Sequence, residues 1–103
     1  AIAHGEGRPE FKSAGDLAML QANGQVAMRF ITNAGAVASH YPANPNGAEQ
    51  GVTSLCNADG RVTILMPHPE RTIAGTVGSF WPKANGEKTP WFRMFENARH
   101  WTR

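Results

Sequence analysis

Met66-Pro67-His68-Pro69-Glu70-Arg71 is the stretch on which the reading of this chain turns. It follows Val62-Thr63-Ile64-Leu65-Met66, a β-branched and apolar run that predicts a buried strand, so the motif falls at a strand's carboxyl end. Each proline fixes its own φ and pushes the preceding residue towards extended backbone. Extended residues two apart share a side, so the spacing predicts that His68 and Glu70 are neighbours. A carboxylate beside an imidazole selects its tautomer, orients the ring and stabilises the imidazolium form. These are two members of a nucleophilic triad, and the third has to be sought elsewhere.

Cys56 is the single cysteine of the 103 residues. It lies at the end of a predicted strand, before a polar turn. A reactive thiol needs a helix N-terminus or a cationic neighbour, and commonly a glycine-rich elbow to expose it. Neither surrounds Cys56, which reads as a small, inert strand residue. The base and its orienting acid are therefore present without a nucleophile. A lone cysteine excludes an internal disulfide and fits a reducing, cytoplasmic setting.

The pattern outward from the motif is α/β, without internal repeats. Residues 1–3 read as the tail of a strand, followed by the turn-prone His4-Gly5-Glu6-Gly7-Arg8-Pro9. Because Ala1-Ile2-Ala3 begins in what reads as mid-strand, the chain is expected to be a piece of a longer polypeptide. Ser13-Ala14-Gly15-Asp16 resembles a capping box with Asp in the Glu place, opening a short helix that ends near Asn23-Gly24. Residues 26–31 and 36–40 flank Asn33-Ala34-Gly35 and predict a hairpin. Tyr41-Pro42-Ala43-Asn44-Pro45-Asn46-Gly47 is a loop by composition. Residues 52–56 and 62–66 predict a second hairpin across Asn57-Ala58-Asp59-Gly60. Residues 72–88 read as irregular. Thr89 is expected to cap a final helix with Pro90 at its first position. Trp91, Met94, Phe95, Ala98 and Trp101 form an apolar stripe on that helix, suited to core or interdomain packing.

Composition removes several classes. Ten Lys/Arg against eight Asp/Glu leave a net charge of +2 without a block of one sign, so no nucleic-acid stripe is expected. No apolar run approaches the roughly 20 residues of a membrane span. His40 and His100 read as surface residues, His100 in a last helical turn where the dipole favours a cation.

Four motifs, taken in order, carry a resemblance: His4-Gly5-Glu6-Gly7-Arg8, the Tyr41 to Gly47 loop, Met66 to Arg71, and Pro90-Trp91-Phe92-Arg93-Met94-Phe95-Glu96-Asn97-Ala98-Arg99. Together they resemble the carboxyl-terminal end of the class I glutamine amidotransferase domain of the phosphoribosylformylglycinamidine synthase family, in its long single-chain form. Ala48 stands where that family commonly has Ser. The resemblance implies an α/β fold, namely the C-terminal half of a flavodoxin-like domain with a mixed sheet, hairpins and a C-terminal helix. Residues 1–103 are then a partial glutaminase domain whose nucleophilic cysteine belongs to the N-terminal half, so the chain by itself is expected to be inactive. The resemblance implies that His68 and Glu70 are catalytic, and that His4, Gly5 and Glu6 lie beside the glutamine pocket. The glycines of that loop suit close backbone approach, though a tight turn without ligand contact reads equally from the residues. Asn44 to Gly47 support the pocket, contact the synthetase domain or are purely structural. No cofactor is expected in this piece. ATP and magnesium belong to the parent enzyme's synthetase domain. The expected partners are glutamine and the rest of the parent polypeptide, with neither nucleic acid nor membrane.

Two other classes stay open on the residues alone. His4, Glu6, His68 and Glu70 could supply nitrogen and oxygen ligands to zinc, although no pair has finger-like or helical spacing. A non-catalytic domain docking an exposed half-sheet on a partner is the other. If half the domain is elsewhere, an apolar surface around Ile2, Ile64 or Leu65 and Met66, together with an unpaired strand edge, is expected.

Overall fold

The structure is a computed structural model that describes residues 7–78 and 80–102. It falls into two units, Ala1–Pro67 and His68–Arg103. The readings of residues 1–3 as a strand tail and of His4, Gly5 and Glu6 as a pocket loop lie outside the described residues, as does Ile2.

In the first unit, helix α1 spans Ala14–Ala22. The Asp16 carboxylate accepts the Ser13 backbone N–H at 2.9 Å and the Ser13 hydroxyl at 2.6 Å, so the capping sequence acts as expected. Those two bonds, the hydroxyl's first, hold the Asp16 carboxyl below its ordinary pKa. The helix stops at Asn23-Gly24, where Gly24 takes φ +70° and the Asn23 N–H closes on the Met19 carbonyl.

Strands β1 (Val26–Arg29), β2 (Val52–Cys56) and β3 (Thr63–Leu65) form one sheet in the order β1-β2-β3, antiparallel throughout. The expected mixed sheet is corrected to this extent: among the described residues no parallel pairing occurs. For β2 and β3 the local reason is the short turn between them, since parallel neighbours need a crossover of a dozen or more residues. β1 and β2 pair antiparallel across the longer stretch 30–51. The β2–β3 hairpin forms where it was read. Its loop is closed by Asn57, whose N–H donates to the Val62 carbonyl and whose Oδ1 accepts the Val62 N–H, both at 3.0 Å.

The earlier hairpin is only half realised. Residues 32–36 make a tight turn and Ile31 bridges Val37, but residues 36–40 do not continue as a strand. Ala36 and Ala38 still bond back to Thr32 and Phe30, but the Ala38 carbonyl turns to the buried Asn44 amide and the ladder goes no further. Gly51 is the neighbouring constraint. At φ +66°, a Cβ built on it would stand 2.9 Å from the Phe30 carbonyl oxygen, so only glycine lets β2 begin so close to that backbone.

Burial concentrates at Leu17, Ala38, Ala48 and Val52, a small core to which β2 contributes Val52. The β3 side is different. Val62 and Ile64 are exposed, Ile64 by 64%, and β3 pairs only with β2 among the described residues. Beside it is a cavity of about 90 Å³ bordered by Pro9, Thr53, Leu55, Ile64 and Met66. Thr53 is 3% exposed and its Oγ1 has no hydrogen-bond partner among the described residues.

In the second unit, helix α2 spans Phe92–Trp101. It starts later than Thr89-Pro90 suggested, with Trp91 as the first half-helical residue. The reason is that the Thr89 hydroxyl is bonded to the Thr72 carbonyl and cannot cap, and only its carbonyl receives the Phe92 N–H. No residue of α2 is fully buried, and Trp91, Phe95 and Trp101 are exposed, so the apolar stripe does not form a core. Residues 72–88 are also more ordered than their composition suggested. They make 3-10 turns at Gly75–Val77 and Lys83–Asn85, and Ala74 bridges Lys88. Trp81 packs where a Gly75 side chain would be, 2.1 Å from its built Cβ, and donates its indole N–H to the Gly86 carbonyl.

Candidate functional site

Pro69 begins a single 3-10 turn, Pro69–Arg71, with His68 as the residue that enters it at φ −109° and ψ 80°. Proline suits that first position because its fixed φ is already helical and its missing N–H would have no partner there. The turn closes when the Arg71 N–H donates to the His68 carbonyl and the Thr72 N–H to the Pro69 carbonyl, both at 3.0 Å. Pro69 is buried and anchors the turn, while His68 and Glu70 point outward from it.

The two side chains meet. His68 Nδ1 lies 2.9 Å from Glu70 Oε1. The expectation of contact holds, but its geometry is corrected. Glu70 is in a 3-10 turn rather than in extended backbone, and it meets the ring of a His68 that enters the turn with non-helical backbone.

The tautomer follows from hydrogen-bond chemistry. An ionised carboxylate only accepts, so Nδ1 carries a proton, and in the neutral ring Nε2 presents its lone pair. Glu70 is held ionised: its own backbone N–H and then the His68 ring keep its carboxyl below the ordinary value of 4.5. The His68 side chain is 36% exposed, so a reacting group can reach the ring. Chemically, an accessible ring nitrogen backed by a carboxylate on the other one is an arrangement able to serve as a general base.

Cys56 lies in β2, half-buried, with Sγ 3.6 Å from the Gln25 carbonyl oxygen. Its backbone N–H is also bonded to that carbonyl. This is a strand residue in a ladder, without the exposed elbow that a nucleophile requires.

A family model for the CobB/CobQ-like glutamine amidotransferase domain matches residues 1–102. The chain belongs to this family. Membership in the glutamine amidotransferases implies glutamine as the substrate. The two helices and three-stranded antiparallel sheet are consistent with part of such an amidotransferase domain.

Other site readings divide. The His4, Gly5 and Glu6 loop is outside the described residues, but Gly7 is described, and its carbonyl accepts the Asn46 amide at 2.9 Å. Among the described residues no three His, Cys, Asp or Glu side chains gather as metal ligands, and no helix is long and apolar enough to cross a membrane. His40 is exposed, its Nδ1 2.7 Å from the Ser39 hydroxyl, and His100 is exposed in the last turn of α2.

Sequence reasoning missed Asn44. It is 3% exposed, donates to the carbonyls of Ala38 and Ala48 and accepts the Ala48 N–H. Its place in an Asn-Pro-Asn-Gly run made it look like one more turn residue. The usable signal was the two prolines flanking Ala43-Asn44, which fix the loop tightly enough for one amide to serve three backbone groups.

Proposed function

We propose that this chain supplies the acid–base half of the glutaminase centre of a phosphoribosylformylglycinamidine synthase of the long single-chain form. The observation that carries the reading is the 2.9 Å contact between His68 Nδ1 and Glu70 Oε1, which leaves Nε2 as the working nitrogen. The order and spacing of the Tyr41 to Gly47 loop, the Pro-His-Pro-Glu turn and the tryptophan-rich tail support the narrower family.

The reaction requires a cysteine from another part of the polypeptide, on a flavodoxin-like strand–helix elbow. His68 Nε2 takes the thiol proton, and the thiolate attacks the side-chain amide carbon of glutamine. As the tetrahedral intermediate collapses, the C–N bond breaks and the imidazolium returns its proton to the departing nitrogen, releasing ammonia. His68 then removes a proton from water as it attacks the thioester, giving glutamate and restoring the thiol. Glu70 keeps the ring in one tautomer and offsets its charge whenever it is protonated. His4, Gly5 and Glu6 belong beside the amino-acid end of glutamine in this reading.

Ammonia passes to a synthetase domain. There ATP, with magnesium, activates the amide oxygen of formylglycinamide ribonucleotide, and nitrogen displaces it to give the amidine. The setting is the purine-building cytoplasm.

Complementation tests this reading. Co-expression of this chain with the preceding half of its polypeptide should restore release of glutamate from glutamine, while the chain alone releases none. Equal, negligible release from both would remove the reading.

A further inference from the structure

The turn that carries Glu70 is tied down from a distance. Thr72 closes it twice, donating its N–H and its hydroxyl to the Pro69 carbonyl at 3.0 and 3.2 Å. The Thr72 carbonyl, in turn, accepts the hydroxyl of Thr89, seventeen residues further on. Beside that bond the Thr89 N–H donates to the Ile73 carbonyl at 3.0 Å, Gly75 bonds Glu87 at 2.8 Å, and Ala74 bridges Lys88. These bonds form the neck of the loop 75–87. Thr89 also sits at the foot of α2, where its carbonyl receives the Phe92 N–H.

We infer that Thr89 is a positioning residue for the dyad, its hydroxyl locking the Pro69–Arg71 turn through Thr72 so that Glu70 stays on His68. Three facts argue for it. A threonine before a helix ordinarily spends its hydroxyl on that helix's free N–H groups, and here it is directed backwards onto the turn. Glu70 is exposed, and its carboxylate is held by the His68 ring and its own backbone N–H, so the turn's backbone sets where it stands. The other neck bonds are backbone to backbone, which leaves the Thr89 hydroxyl as the side-chain link between the neck and the residue that closes the dyad turn. A base displaced by a fraction of an ångström loses rate without losing substrate affinity.

This inference rests on the reading of His68 and Glu70 as the glutaminase dyad. Its test uses the intact polypeptide, with glutamate release as the assay. Thr89→Val keeps the shape and removes the hydroxyl; it should lower kcat about tenfold with KM unchanged, and Thr89→Ser should restore most of the loss. In a Glu70→Gln background, Thr89→Val should cost little more, because both changes disable the same link. Full activity in Thr89→Val, or an equal loss in the Glu70→Gln background, overturns the inference. So does a matching loss in Thr89→Ser. His68→Ala is the control that separates the two failures: if it leaves glutamate release intact, the dyad reading itself is wrong, whatever Thr89 does.

Discussion

His68 and Glu70 are joined by a single hydrogen bond across one turn of backbone, ring Nδ1 to carboxylate Oε1 at 2.9 Å. Both partners are partly exposed, so the bond persists through the turn's geometry rather than through burial. Surface ion pairs of this kind contribute little to stability. The value of this one is orientational: it chooses which imidazole nitrogen faces a substrate.

Glu70 should titrate below the ordinary 4.5 in the folded chain. A depressed carboxylate pKa gives a contribution that is complete above the unfolded value and lost as pH falls through the folded one. Carbon-detected NMR of the Glu70 carboxyl checks the direction. In His68→Ala the midpoint should rise but stay below 4.5, because the residue's own backbone N–H is the larger cause and survives.

Asn44→Ala should destabilise the first unit by about 2–4 kcal/mol, since two buried carbonyls lose their donor and the Ala48 N–H loses one of two acceptors. The urea midpoint reads it. Asn44→Asp should be worse, for it keeps the acceptor, removes both donated bonds and buries a charge.

Gly51→Ala should cost about 2–3 kcal/mol, combining a positive φ with a Cβ pressed against the Phe30 carbonyl. Thermal unfolding measures it. A neutral result would mean that β1 and the start of β2 are further apart than described.

Thr53→Val examines the β3 side. It replaces a buried hydroxyl that has no partner among the described residues, so the 103-residue chain should gain about 1 kcal/mol. In the longer polypeptide the sign should reverse if another segment covers the cavity and bonds that hydroxyl. Denaturant melts of the two forms decide.

What was legible in the sequence was mostly local. The Ser13–Asp16 cap, the stop at Gly24 and the Asn57–Val62 loop depend on residues within a few positions, and each formed where its residues indicated. The His68–Glu70 contact was also legible, although a turn rather than extended backbone produces it. The misses share another cause. Thr89 reads as a cap until its hydroxyl is seen on Thr72, and the order in residues 72–88 comes from the Ala74–Lys88 bridge. Contacts of that range leave no periodicity to read. The parallel pairing of a mixed sheet was implied by resemblance alone, and the described strands supply only antiparallel neighbours.

The central claim is that His68 drives the release of ammonia from glutamine. The most direct measurement compares amidine formation by the intact polypeptide carrying His68→Ala with glutamine, and then with an ammonium salt, as nitrogen donor. The account predicts that the glutamine-supported rate falls by at least about a hundredfold, while the ammonia-supported rate stays at the level of the unaltered protein. A glutamine-supported rate in the variant equal to that of the unaltered protein would contradict it.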